Sequence, residues 1–242
     1  MTTIRAVAYL AVAVHFWYAC YYDWNYVNIP PTVHPMGITY GRTKKLKFLT
    51  YWDALLQSLF FTISFLNEIL GNTEVSPSWG NNSIFRKLKD LILPSLAFPI
   101  SMFVGLTFWG LYFVDRELVF PKAIDPFFPP WLNHVMHTNI MLFVLAEMYM
   151  SFRRYPSRYV GVGILTIFMA CYLVWLHVIY FKTGIWVYPI LEKLDFIARV
   201  VFFVVLLGLS LVLYFVGEKI NQRIWLNRVK FEKPYYNEYK AK

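Results

Sequence analysis

The sequence predicts an all-α integral membrane protein, a bundle of about six transmembrane helices with both termini on the cytoplasmic side. Three observations carry that expectation. Hydrophobic residues make up 58% of the 242-residue chain and aromatic residues 20%, against only 15% charged residues. An average soluble domain carries about 25% charged residues, and water leaves no way to hide this much apolar surface. Second, the apolar residues fall into six runs near the length of about 20 residues that crosses a bilayer core as a helix. Third, Lys and Arg gather in short gaps between those runs, while Trp and Tyr cluster near their ends, as the interfacial belts of a membrane protein require.

The first span, roughly Ile4–Tyr22, carries a lone Arg5 and then an apolar run rich in Tyr and Trp. No small-residue cleavage site follows, so the expectation is a retained span rather than a removed signal peptide. Asn28-Ile29-Pro30-Pro31 opens the first loop, and the second span covers Phe48–Leu70. The stretch from Gly71-Asn72-Thr73 to Asn81-Asn82-Ser83 separates it from the third, Leu91–Val114, where Pro94 and Pro99 predict a kink with the freed carbonyls taken by neighbouring groups. Asp115-Arg116-Glu117 and Phe127-Phe128-Pro129-Pro130-Trp131 mark the third loop, before the fourth span at Leu132–Met150. The basic run Arg153-Arg154-Tyr155-Pro156-Ser157-Arg158 leads to the fifth, Val160–Phe181, and Thr183-Gly184-Ile185-Trp186-Val187-Tyr188-Pro189 leads to the sixth, Phe196–Val216. Pro and Gly punctuate each gap. Two units follow: a spanning domain over residues 1–217 and a basic cytoplasmic tail over 218–242.

The N-terminus, the second and fourth loops and the tail hold the larger share of Lys and Arg, and the positive-inside rule places that side in the cytoplasm. Plasma membrane and endoplasmic reticulum both fit. The net charge of +9 marks no nucleic-acid surface, because the basic residues form no stripe and sit where they meet lipid headgroups. Cys20 and Cys171 each lie inside an apolar run, which argues against a disulfide framework, and no CxxC or Cys/His zinc spacing is present. No lipidation motif closes the chain.

Polar groups inside spans are costly in lipid and are therefore functional candidates. Here they are His15, Thr50, Asp53, Asn67, Glu68, Asn133, His134, His137, Glu147 and His177. The loops leading into the second and fourth spans share a side in any even weave. Thr50 lies just inside the second span and His137 a little over one turn inside the fourth. At 1.5 Å per residue both fall within roughly 10 Å of one interface. A hydroxyl and an imidazole then meet at one depth, the ingredients of a nucleophile and its base. Asp53, three residues after Thr50, is expected on the same face, where a carboxylate orients the imidazole or holds it charged. Hydrogen bonds that pack helices together are the commoner role of a Thr and a His within spans. Glu68 and Glu147, near helix ends, read as snorkelling or solvated groups. Two other classes stay open on the residues alone. One is a non-enzymatic membrane regulator or trafficking partner; the other is a haem-binding redox protein using His15, His137 and His177.

Several stretches narrow this. Phe48-Leu49-Thr50-Tyr51-Trp52-Asp53, Leu96-Ala97-Phe98-Pro99, Asp115-Arg116-Glu117, Trp131-Leu132-Asn133-His134-Val135-Met136-His137-Thr138, Tyr155-Pro156-Ser157-Arg158 and Thr183–Pro189 together resemble the androgen-induced and androgen-dependent TFPI-regulating protein family, in order and spacing from the first span to the sixth. The likeness fades after about Glu218. The resemblance implies a membrane hydrolase that cleaves fatty acid esters of hydroxy fatty acids with a threonine nucleophile and a histidine, and no metal or other cofactor. The family's threonine carries over to Thr50, not Thr43, and its histidine to His137. His134 and Asn133 then become orienting neighbours. The substrate is a lipid ester with two apolar chains and one carboxylate, reached among membrane lipids. Arg42, Lys44, Lys45 and Lys47, just before Thr50, are the cations that can meet that carboxylate; contact with phospholipid explains them as well.

Overall fold

A computed structural model describes residues 2–30, 42–71 and 83–225, with side chains undescribed at residues 2, 3 and 42–44. The described residues are helical almost throughout, and no strand occurs among them. The helices are α1 (Thr2–Tyr26), α2 (Leu49–Leu70), α3 (Ile84–Ile92), α4 (Phe98–Asp115), α5 (Pro130–His134), α6 (Ile140–Met150), α7 (Arg158–Thr183), α8 (Pro189–Lys193) and α9 (Phe196–Trp225).

Among the described residues five helical runs are long and apolar enough to cross a membrane: 4–26, 49–70, 84–118, 158–183 and 196–225. The remaining expected span, the fourth, is helical too, but it is built from pieces of 5, 5 and 11 residues, with α5 and α6 joined by a π-helical turn over Val135–Asn139. Its first half, Trp131 to Asn139, is too polar to meet the same test. A second π-helical turn, Leu93–Ala97, joins α3 to α4 at Pro94, where the two prolines predicted a kink. The side-chain amide of Gln57 donates to the Ala97 carbonyl at 3.2 Å, so a neighbouring helix does take a carbonyl at the distortion.

What faces out and what faces in identifies the solvent as lipid. On α1, Tyr9, Ala13, Phe16, Cys20 and Asp23 recur at three- and four-residue spacing and are buried, while Leu10, Val14, Trp17 and Tyr21 are exposed. On α9, Val200, Val201, Val204 and Val205 are exposed. The groups sealed inside include Arg86, Lys89, Glu147 and Arg153. Such a protein turns apolar groups to its solvent and keeps charge within, as bilayer-embedded chains do. It is an integral, multi-pass membrane protein.

A network of buried charged groups occupies one end of the bundle. Arg86 donates to the Phe152 carbonyl at 2.8 Å and pairs with Asp90 at 3.3 Å. Arg153 pairs with Glu147 and, at 3.7 Å, with Asp90. Lys89 reaches Glu147 at 3.7 Å and lies 4.5 Å above the Tyr9 ring. Arg5 meets Glu68 at 3.0 Å. Glu68 and Glu147 are therefore buried ion-pair partners, not solvated or snorkelling groups, and Arg86 and Arg153 do not lie against headgroups. The Asn221 side chain bonds both backbone groups of Arg153, at 2.9 and 3.3 Å. With Glu218, Asn221 and Trp225 all buried, α9 runs through the boundary expected at residue 217 and the bundle continues to Trp225. Residues 226–242 of the expected tail lie outside the described residues.

Candidate active site

The opposite end of the bundle holds Thr50 and His137. Thr50 is the second residue of α2. Its N-cap, Phe48, has no side-chain oxygen to offer, so the first backbone donor of the helix needs a partner from elsewhere. Two phenols supply it. The Leu49 N–H lies 3.1 Å from the Tyr172 hydroxyl of α7 and 3.2 Å from that of Tyr188, and the two hydroxyls are 2.8 Å apart. Tyr172 donates onward to the Lys47 carbonyl at 3.0 Å. One residue earlier, the Leu46 carbonyl accepts from the indoles of Trp52 and Trp175 at 2.7 and 3.0 Å. The backbone just before Thr50 is thus clamped from three directions. The Thr50 N–H itself has no acceptor among the described residues.

His137 sits inside the π-helical turn, a distortion that re-aims side chains and recurs at functional sites. Its Nε2 lies 3.3 Å from Thr50 Oγ1, and its Nδ1 lies 3.0 Å from the Asn133 carbonyl oxygen. A carbonyl only accepts, so the proton of the neutral ring is on Nδ1 and Nε2 is the acceptor facing the threonine. The Phe108 ring stacks on the imidazole with centroids 3.5 Å apart and 13° between planes. Gly105 permits that closeness: a Cβ there would stand 2.7 Å from the His137 carbonyl oxygen.

The other expected site residues are placed as follows. Asn133 orients the imidazole, through its backbone carbonyl. His134 is exposed, bonds Thr138 at 3.2 Å and stacks on Trp109, and has no part in the pair. Asp53 does not reach the imidazole. It is fully buried and accepts from Gln57 at 2.9 Å and Ser101 at 3.2 Å. Three residues of helix turn it about 60° away from Thr50, enough to point it at α4. Lys45 forms a buried ion pair with Asp23 at 2.6 Å; burial pushes its ammonium below the ordinary value and the Asp23 carboxylate pulls it back up. Lys47 lies over the Phe48 ring at 5.2 Å. The side chains of Arg42 and Lys44 lie outside the described residues. The three histidines of the haem alternative are held by different neighbours: His15 by Asn139 at 3.1 Å, His137 by Thr50 and Asn133, His177 by the Leu173 carbonyl at 2.8 Å. Among the described residues no group of three or more His, Cys, Asp or Glu is placed to hold a metal ion.

Two cavities meet at Thr50. One, of about 260 Å³, runs between α4, α7 and α9 and is lined almost wholly by apolar side chains, with Tyr172 and Tyr188 at its Thr50 end. The other, of about 100 Å³, holds His137, Lys45 and Asp23 on its walls and reaches the loops at Ile29, Pro121 and Pro189.

The fold and the site define a multi-pass helical membrane protein with one hydrophobic chamber and one more polar chamber that meet at Thr50, with His137 on the wall of the second. The FAR-17a/AIG1-like protein family model matches residues 4–222, and the chain belongs to that family. It is 40% identical over 197 residues to the androgen-induced gene 1 protein of Homo sapiens, covering 79% of this chain and 81% of that protein. It is 40% identical over 184 residues to the androgen-dependent TFPI-regulating protein of Rattus norvegicus, covering 76% and 79%. A membrane protein of Schizosaccharomyces pombe is 28% identical over 139 residues, covering 56% and 60%. No solved structure matches.

Proposed function

We propose that this protein is a membrane-embedded ester hydrolase that cleaves fatty acid esters of hydroxy fatty acids, the activity implied by the family resemblance. The observation that carries the reading is the 3.3 Å approach of Thr50 Oγ1 to His137 Nε2, with the tautomer fixed by the Asn133 carbonyl, both cavities reaching Thr50 and the smaller one reaching His137 as well. Catalytic hydrogen bonds are commonly this long before substrate binds.

Thr50 Oγ1 attacks the ester carbonyl while His137 Nε2 takes its proton. The imidazolium is met by the dipole of the Asn133 carbonyl and by the π-face of Phe108; no carboxylate shares the load. The tetrahedral oxyanion needs a donor, and the unoccupied Thr50 N–H, at the positive end of α2, is the one beside the attacked carbon. His137 then passes its proton to the departing alcohol oxygen. Water, deprotonated by the same nitrogen, releases the fatty acid from Thr50. Clamping Leu46, Lys47 and Leu49 sets the position of Thr50 without touching the reacting atoms, which is the role a supporting shell plays.

An alkyl fluorophosphonate reports the nucleophile directly. Peptide mapping of the labelled protein is expected to find the adduct on Thr50, with labelling lost in His137→Ala. A labelled Thr50→Ala protein, or an adduct on another residue, rejects the assignment.

A further inference from the structure

Thr50 stands on the partition between two cavities of opposite chemistry, and an ester has two arms. The larger cavity offers only hydroxyls as polar lining groups. Along α7 it extends from Tyr172, at the level of the nucleophile, to Thr166, about 9 Å toward the membrane interior. Its wall includes residues that also face the surrounding lipid: Ala170 on α7 and Val204 and Leu207 on α9 are exposed. The cavity therefore opens sideways to the bilayer along the seam between these neighbouring helices. The smaller cavity carries the only charged lining groups of the two, Lys45 and Asp23, and is walled by loop residues.

We infer that the α7–α9 seam is the binding channel for the acyl arm of the ester, a long unbranched hydrocarbon chain entering from the bilayer, and that the alcohol arm occupies the smaller cavity. This rests on the hydrolase reading and adds where each half of the substrate lies and by which route it enters and leaves. The assignment follows from solvation. A hydrocarbon tail passes from lipid into an apolar channel without losing hydration, and any length beyond the channel stays in the bilayer. An arm bearing a carboxylate cannot be buried among Phe103, Val104 and Leu206 unpaired; the smaller cavity, which reaches the loops and has the Lys45–Asp23 ion pair on its wall, is the more polar of the two and the one that suits it. In the reaction the Thr50 Oγ1–acyl carbon bond forms and the ester C–O bond to the alcohol breaks. The proton travels from Thr50 through His137 to the alcohol oxygen, and the alcohol leaves by the smaller cavity. Water arrives by the same way, and the freed fatty acid returns to lipid through the seam.

The test uses the full-length protein in phosphatidylcholine vesicles and two ester series, one varying the acyl chain from acetyl to palmitoyl and one varying the alcohol chain. Ala170→Trp and Leu207→Trp fill the mouth of the seam; Leu142→Trp, on the exposed face of α6, controls for a bulky ring facing lipid. The two seam variants are expected to lower the palmitoyl-to-acetyl ratio of kcat/KM at least tenfold, with Leu142→Trp leaving it unchanged. An unchanged ratio in the seam variants, or a loss that follows alcohol length, overturns the assignment. A binding measurement separates this inference from the hydrolase reading. Palmitate with a mid-chain diazirine is expected to label peptides spanning 166–173 and 202–207. That labelling in a protein inert toward every ester supports the channel and rejects only the hydrolysis. Labelling confined to α1 and α6 overturns the channel even where esters are cleaved.

Discussion

The two ends of this bundle bury polar groups in opposite ways. At one end Arg86, Lys89, Asp90, Glu147 and Arg153 form a packed ionic network with backbone carbonyls as further acceptors. At the other end the groups proposed to react, Thr50 and His137, meet through a hydroxyl and an imidazole, and space has been left around them. Charge at the first end holds loops and helix termini together; at the second, the hydroxyl and imidazole proposed for catalysis lie beside empty volume, with the Lys45–Asp23 ion pair on one wall of it. In lipid, a buried charge is thus a poor guide to the reactive site when its partners are all in place, and a modest hydroxyl–imidazole contact is a better one when a cavity adjoins it.

The contrast can be broken by separating stability from rate. Replacing Arg153 with Met leaves Glu147 and Asp90 short of a partner inside the bundle, a change that typically costs about 3–5 kcal/mol. Thermal unfolding in detergent is expected to show that loss, while ester cleavage per folded molecule stays near wild type. A rate falling in proportion at unchanged stability would place the ionic end in the chemistry. Gly105→Ala probes the other end. Its new methyl must displace the His137 turn, and roughly a 10- to 100-fold fall in kcat is expected from misplacing the base by a fraction of an ångström. Smaller still is Tyr188→Phe, which removes one of the two hydroxyls serving Leu49; a loss of about 1 kcal/mol, read as a several-fold lower kcat with KM held, fits a residue that positions Thr50. The smallest difference concerns Lys45. If it meets the carboxylate of the alcohol arm, the methyl ester of the same lipid should show a higher KM than the free acid at similar kcat; equal KM values remove Lys45 from recognition.

Much of this was legible in the sequence, for identifiable reasons. Hydropathy fixes the spans because lipid demands it, and prolines 94 and 99 mark the distortion before α4. Helix rise alone brings Thr50 and His137 to one depth. The fourth span is less legible: its polar first half, which carries the candidate histidine, lowers the very signal by which spans are found. Asp53 misled because three-residue spacing leaves about 60° of rotation, which in this bundle separates the cavity wall from the face against Ser101. The true partner of the imidazole, the Asn133 carbonyl, is a backbone atom that no residue type announces. Tyr172 and Tyr188 come from a span and a loop far from Thr50, and pairing between distant segments has no period to read. Tyr188 lay within one of the recognised stretches, so a signal existed for it; Phe108 and Gly105 had none. The ionic end was misread because basic loops in membrane proteins so often serve headgroups, and burial is invisible without neighbours.

The most direct measurement is hydrolysis of a branched fatty acid ester by the purified protein, comparing wild type with Thr50→Ala and His137→Ala, with chelator present and the folded fraction of each measured alongside. The account predicts cleavage by wild type and a fall of about 10²–10⁴-fold for the histidine variant, at least as large for the threonine variant, with both bundles melting near the wild-type temperature. Retained cleavage by folded Thr50→Ala, or an inert wild type in detergent and in vesicles alike, would contradict it.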